Sequence, residues 1–141
     1  MTSRRVLVLT ALDSLSVVRA LGTRGARVWA AGAGGSPLLK LSRHCRGYFR
    51  VAFSDSELAA AEEPVLEAVA RLAGKLSIEV IVAADVPASR CVEGLRLKLP
   101  GLEFFPVPDA RTLTTMDDKW LFYRFLVDHG LPSPRTWLIE R

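Results

Sequence analysis

The residues whose type and spacing could do chemistry gather near the C-terminal end of the sequence, in Thr112–Thr136, TLTTMDDKWLFYRFLVDHGLPSPRT. Thr114 and Thr115 are each followed three positions later by an aspartate, Asp117 and Asp118, which gives two overlapping capping frames for a helix start. Lys119 then falls in the first turn. A cation there opposes the helix dipole, and glutamate would be favoured by a few tenths of a kcal/mol, so an anion-binding use for Lys119 competes with the plain reading of a solvated lysine offset by two aspartates. Two further candidates lie upstream: Thr10 at the end of the apolar run Val6–Leu9, and Asp85 just beyond the run Ile78–Ala83. Both fall at the carboxyl ends of expected strands, where ligands gather in open α/β sheets. For Asp85 the competing reading is N-cap of the helix that follows.

The run Met116-Asp117-Asp118-Lys119, a helix, and then His129-Gly130-Leu131-Pro132-Ser133-Pro134-Arg135-Thr136 resembles the start of the ATP-grasp fold of ATP-dependent carboxylate-amine ligases, of which the carbamoyl-phosphate synthase large chain is one type. The pattern in that superfamily is Asp-Lys, a helix, then Gly-(Leu/Val/Ile)-Pro-x-Pro-x-Thr. The upstream sequence is similar to the domain that precedes the ATP-grasp core. This resemblance extends over nearly all 141 residues, but only about the last thirty carry distinctive motifs.

The resemblance implies a division of labour. Lys119 would sit close to the phosphates of ATP, and an acidic residue near Asp85 can face substrate in such enzymes. A Ser-Arg pair like Ser42-Arg43 also recurs at this place. ATP and Mg²⁺ are the implied cofactors of the full-length protein, which would phosphorylate a small carboxylate for attack by an amine. The second lysine, the glycine-rich flap, the adenine-contacting segment and the acidic Mg²⁺ ligands of the family all come after the position of Arg141. The chain as given is therefore expected to hold no catalytic residue and to bind ATP weakly, with the remainder of the ligase as its partner and a homodimer as a candidate assembly. The alternative is a stand-alone Rossmann-like module that binds a small ligand or a protein and catalyses nothing.

With 50% hydrophobic residues, 141 residues suit one domain with a real core. The apolar runs are short and broken by charge, and MTSRR leads into VLVLT without a small-residue cleavage site, so neither a membrane span nor a signal peptide is expected, and the location expected is cytoplasmic. Cys45 and Cys91 lack CxxC or Cys/His metal spacing and read as free thiols; His44 beside Cys45 points the other way on an extended segment. No metal site is expected. The formal charge of +4 is mild and the arginines lack interleaved aromatics, which argues against nucleic acid as a partner.

The elements that must position these residues are read in order. Val6–Leu9 is a strand buried on both faces, Asp13 or Ser14 caps a helix ending at Gly25, and Val28–Ala31 is the second strand. The turn between, Thr10–Ser14, has no glycine, so NAD(P) is not expected there. GAGGSP, residues 32–37, is a loop; Tyr48–Phe53 is a third strand; Ser54 and Glu57 form a capping pair ahead of a helix from Pro64 to about Lys75. Ile78–Ala83 is the fourth strand, Ala88–Leu99 a helix, Phe104–Val107 a brief edge strand marked by Pro106, and Ala110–Leu113 a short helix. Together they predict an α/β, Rossmann-like, three-layer, doubly wound parallel sheet of four to five strands with the first strand central. Residues 1–111 form this domain. Residues 112–141 are the linker helix and, in Trp137-Leu138-Ile139, the first strand of an ATP-grasp domain.

Overall fold

The computed structural model describes residues 3–11, 14–32, 37–51 and 63–139. It divides into two compact units, Met1–Val107 and Pro108–Arg141. The loop GAGGSP, all but its first and last residues, Asp13, and the Ser54/Glu57 capping pair lie outside the described residues.

The first unit is a five-stranded sheet. Its strands are β1 (Arg5–Thr10), β2 (Arg27–Gly32), β3 (Cys45–Arg50), β4 (Val80–Ala83) and β5 (Glu103–Phe104), in the spatial order β3-β2-β1-β4-β5. Every pairing is parallel, and β1 is central. The helices between them are α1 (Leu15–Thr23), α2 (Pro37–Leu41), α3 (Glu63–Leu76) and α4 (Val86–Lys98). The fold is thus the α/β Rossmann-like one expected.

Strand alternation divides the core in two. Val6 and Val8 of β1 pack with Val18 of α1, Leu39 of α2, Val28 and Ala30 on one face. Leu7 and Leu9 pack on the other with Val65, Leu66 and Val69 of α3 and Cys91 and Leu95 of α4. Leu7, Leu9, Leu39 and Leu95 are fully buried, and each contributes about 1.5–3 kcal/mol relative to exposure. Helices on both faces explain why β1 reads as an unbroken apolar run.

Several boundaries differ from expectation, among them β4, which starts at Val80 and not Ile78, and α4, which runs Val86–Lys98 and not Ala88–Leu99. β3 starts at Cys45, three residues early, because β2 pairs from Val28 opposite Cys45, with an irregularity between Val28 and Ala30. α2 was not anticipated: five residues with apolar Leu38, Leu39 and Leu41 are too few to display a helical period. β5 lies at the sheet edge, as expected, but covers only Glu103–Phe104 and not Phe104–Val107, since Pro106 has no N–H to give the ladder.

The second unit contains α5 (Ala110–Asp117) and α6 (Lys119–Asp128), which pack on each other. α5 runs four residues further than expected and absorbs both threonines of the proposed capping frames. The Thr114 hydroxyl donates to the Ala110 carbonyl at 2.9 Å, a bond made inside a helix and not at its cap. The break falls at Asp118, whose φ of −79° and ψ of 116° are extended. Trp137–Ile139 carries no regular structure, since a strand forms only against a partner and none pairs with it among the described residues.

Candidate functional site

Between β1 and β4 the winding of the sheet changes direction: from β1 the chain proceeds through β2 and β3, and from β4 it proceeds to β5 on the other side. Ligand crevices in such sheets open beyond the carboxyl ends of the two strands flanking this point. β1 ends there at Thr10 and β4 at Ala83, with Leu9 in register with Ala83.

Asp85 spans the crevice. α4 has free N–H groups at its start, and the Asp85 carboxylate caps it by accepting from Ala88 N–H through Oδ1 at 2.9 Å. Its other oxygen, Oδ2, accepts from the Thr10 hydroxyl at 2.9 Å and from Ala11 N–H at 2.7 Å. The capping reading of Asp85 holds, and the same side chain links α4 to the end of β1. Thr10 is 1% exposed, so its hydroxyl needs an internal acceptor. The structure thereby brings together two of the three candidate residues. It also engages the donors of Thr10 and Ala11 with a carboxylate, so neither is offered to an incoming anion.

One neighbour of this crevice was not singled out by the sequence. Gly32 lies opposite Thr10 at the end of β2, and a β-carbon on it would come 2.2 Å from the Thr10 carbonyl oxygen. The glycine is needed for close approach of two chains, a requirement invisible in a run written GAGG. Of the two caps expected for α1, Asp13 lies outside the described residues and Ser14 occupies the N-cap position, but its hydroxyl makes no capping bond and, at 1% exposure, has no hydrogen-bond partner among the described residues.

In the second unit Lys119 lies in the first turn of α6, as expected, but as its first residue, since the cap is Asp118 and not Thr114 or Thr115. Asp118 is the N-cap, with Oδ1 accepting from Trp120 N–H and Leu121 N–H, both at 2.8 Å. The backbone donors that would favour a phosphate at this helix start are therefore taken by the chain's own carboxylate. What remains for an anion is the Lys119 side chain, which is exposed and forms no ion pair among the described residues.

Cys91 is buried, and burial first, with the nearby Asp85 charge second, pushes its thiol up to about 11. Burial likewise raises the half-exposed Cys45 thiol. Neither has the lowered pKa of a nucleophile. Among the described residues no three His, Cys, Asp or Glu side chains come together as metal ligands. No helix among them is long and apolar enough to cross a membrane.

Similar proteins were found by structure alone. No family model matches the sequence, and no characterised protein matches it. The fold superposes on glycinamide-RNase-transformylase T from Mycobacterium tuberculosis with a TM-score of 0.58 and 24% identity, over 98% of this chain and 36% of that one. It also superposes on the biotin carboxylase domain of a single-chain bacterial carboxylase, with a TM-score of 0.52 and 22% identity over 92% of this chain and 30% of the other. A putative oxidoreductase from Escherichia coli strain K-12 matches at a TM-score of 0.51 and 13% identity, over 92% of this chain and 74% of that one. The chain spans about a third of the transformylase and carboxylase chains. At these identities the likeness is one of fold.

Proposed function

We propose that this chain is the N-terminal platform domain of an ATP-dependent carbon–nitrogen ligase of the ATP-grasp superfamily, acting in the cytoplasm. The observation that carries the reading is the placement of the Asp118-Lys119 motif: the aspartate caps α6 and the lysine is left exposed on its first turn, ahead of Gly130-Leu131-Pro132-Ser133-Pro134. The fold likeness to a transformylase T and a biotin carboxylase domain supports it, since the motif points to the superfamily of those enzymes.

Lys119 supplies one point charge toward the nucleotide phosphates. ATP, when bound by the whole ligase, supplies the phosphoryl group that activates the carboxylate. Thr10 and Asp85 fix the edge of the substrate crevice: Asp85 holds the end of β1 and the start of α4 in one geometry, which is positioning in the sense that lowers the entropy cost of reaction. The family resemblance puts the acidic Mg²⁺ ligands after the position of Arg141, so in this reading Mg²⁺ belongs to the remainder of the enzyme.

The test uses the whole ligase. Lys119→Ala should lower ATP-dependent turnover or raise the KM for ATP while leaving the unfolding midpoint within the range of surface substitutions. Calorimetric titration of the 141-residue chain with Mg-ATP should show weak binding or none. Wild-type turnover by the variant, or micromolar ATP affinity in the chain alone, contradicts the assignment.

A second reading, a stand-alone Rossmann-like module that binds a small ligand or protein without catalysis, draws on coverage alone: the chain spans 74% of the putative oxidoreductase, whose fold it shares. Saturable NAD(H) or NADP(H) binding that moves the amides of Thr10 and Ala11 would support that reading over the ligase domain.

A further inference from the structure

Charge is distributed unevenly along this chain. From Ser14 through Ser54 there are seven basic residues, Arg19, Arg24, Arg27, Lys40, Arg43, Arg46 and Arg50, and no acidic one; the rest of the chain holds the other 12 of 19 basic residues and all 15 acidic ones. The net positive charge of the protein is thus a property of the α1–β2–α2–β3 half of the sheet.

Within that half is a groove of about 460 Å³ lined by Arg19 and Thr23 of α1, Leu41 at the end of α2, and Ser42, Arg43 and His44 in the turn before β3. It lies where α1 ends and β3 begins, at the opposite end of the sheet from Thr10 and Asp85. Among the described residues neither Arg19 nor Arg43 is paired with a carboxylate. Arg43 Nε–H instead donates to His44 Nε2 at 3.3 Å, which keeps the guanidinium beside the imidazole.

The wall of the groove depends on an absent side chain. A β-carbon on Gly22 of α1 would come 2.6 Å from His44 Cβ and 2.8 Å from its Nδ1. A glycine inside a helix costs about 0.5–1 kcal/mol relative to alanine, and here it lets the 42–44 turn lie directly against α1. His44 N–H donates to Ser42 Oγ at 3.3 Å, and Cys45 N–H to the Ser42 carbonyl at 2.9 Å, so the turn carrying Arg43 is fixed from both sides.

We propose that this groove binds the phosphate group of a small molecule, with Arg19 and Arg43 as the charged contacts and the Ser42 hydroxyl as a donor. Two guanidiniums without a carboxylate partner among the described residues, in an acid-free stretch of sequence and lining one groove of about 460 Å³, match a compact dianion better than an extended polyanion, because their charge is gathered at one concavity and not spread along a track. Arg43, two residues beyond α2, also offsets the carbonyl end of that helix, and the experiment separates the two roles. The site is independent of the ligase reading.

The test is a ¹⁵N NMR titration of the full chain with inorganic pyrophosphate, against sodium chloride at matched ionic strength. Saturable shifts of the Thr23, Ser42, Arg43 and His44 amides, with those of Thr10 and Ala11 unmoved, are expected. Arg43→Gln should weaken the affinity by about tenfold, as for loss of one charge-assisted contact, and Arg19→Gln with Arg43→Gln should abolish saturation. The unfolding midpoint of each variant checks that it is folded. Shifts that follow ionic strength alone, that persist in the double variant, or that appear at the other end of the sheet overturn the proposal. So does single-stranded RNA that shifts these amides at lower phosphate concentration than pyrophosphate, since the surface would then be a polyanion track.

Discussion

The hydroxyl of Thr10 donates to Asp85 Oδ2 at 2.9 Å, across 75 residues of sequence. With Ala11 N–H on the same oxygen and Ala88 N–H on Oδ1, one carboxylate joins the end of the central strand to the start of α4. Removing the carboxylate leaves a buried hydroxyl and a helix start without their acceptor. Asp85→Ala is expected to destabilise the protein by about 2–3 kcal/mol, from a lost cap and an unsatisfied buried donor. Asp85→Asn, which keeps the oxygen on one side only, should cost less. Urea unfolding of both variants checks this order, and a cost for alanine below about 0.5 kcal/mol would place Asp85 among ordinary surface residues.

Gly32 and Gly74 should respond in opposite directions to alanine. At Gly32 the added carbon meets the Thr10 carbonyl at 2.2 Å, and backbone cannot yield cheaply. Gly32→Ala should cost about 2 kcal/mol or more, as overpacking does. Gly74, inside α3, has nothing within 4 Å of the same carbon, so Gly74→Ala should stabilise by about 0.5–1 kcal/mol through helix propensity. Thermal unfolding of the pair distinguishes a steric role for Gly32 from a generic glycine effect.

Asp118 should matter to helix stability where Lys119 does not. Its carboxylate caps two N–H groups of α6, so Asp118→Ala should fray that helix at a cost of about 0.5–2 kcal/mol. Lys119→Ala should stay within about 0.5 kcal/mol. Amide exchange at Trp120 and Leu121 reports the difference: faster in the aspartate variant, unchanged in the lysine variant.

The Cys91 thiol, raised to about 11, stays neutral in the folded protein through the range where an unfolded cysteine ionises. The unfolded state then binds fewer protons, so stability should fall as pH rises above the ordinary thiol range toward 11. Cys91→Ala should remove that slope. At pH 8, iodoacetamide should modify the half-exposed Cys45 before Cys91.

Asp109 caps α5, and the Thr112 backbone N–H, followed by the Thr112 side chain, holds its carboxyl below the ordinary range. Its contribution is present above the pKa of the unfolded carboxyl and is lost as pH falls through the lowered folded value. A carbon-13 titration of the carboxyl should give a midpoint below that of a free aspartate. An ordinary midpoint would mean that the cap is open in solution.

The amino-acid sequence determined the fold through its strands and helices: Val6–Leu9, with branched apolar residues on both faces, can only sit inside a sheet covered on two sides, and it is the central strand. It also put Lys119 in the first turn of a helix, although from the wrong cap: the spacing points to Thr114 and Thr115, where Asp118 is the one that serves. Asp85 was legible as a cap because capping is local, a matter of the three residues that follow. Its bonds to Thr10 and Ala11 were not, because they depend on β1 and β4 becoming neighbours after α1, β2, α2, β3 and α3 have passed between them. The same holds for Gly32, which is small for the sake of Thr10, and for Gly22, which is small for the sake of His44. Tertiary structure alone decided where α5 ends as well: Thr114 and Thr115 carry the composition of a helix cap, but hydroxyls bond equally well to a carbonyl one turn back, and only the backbone break at Asp118 selects between the two.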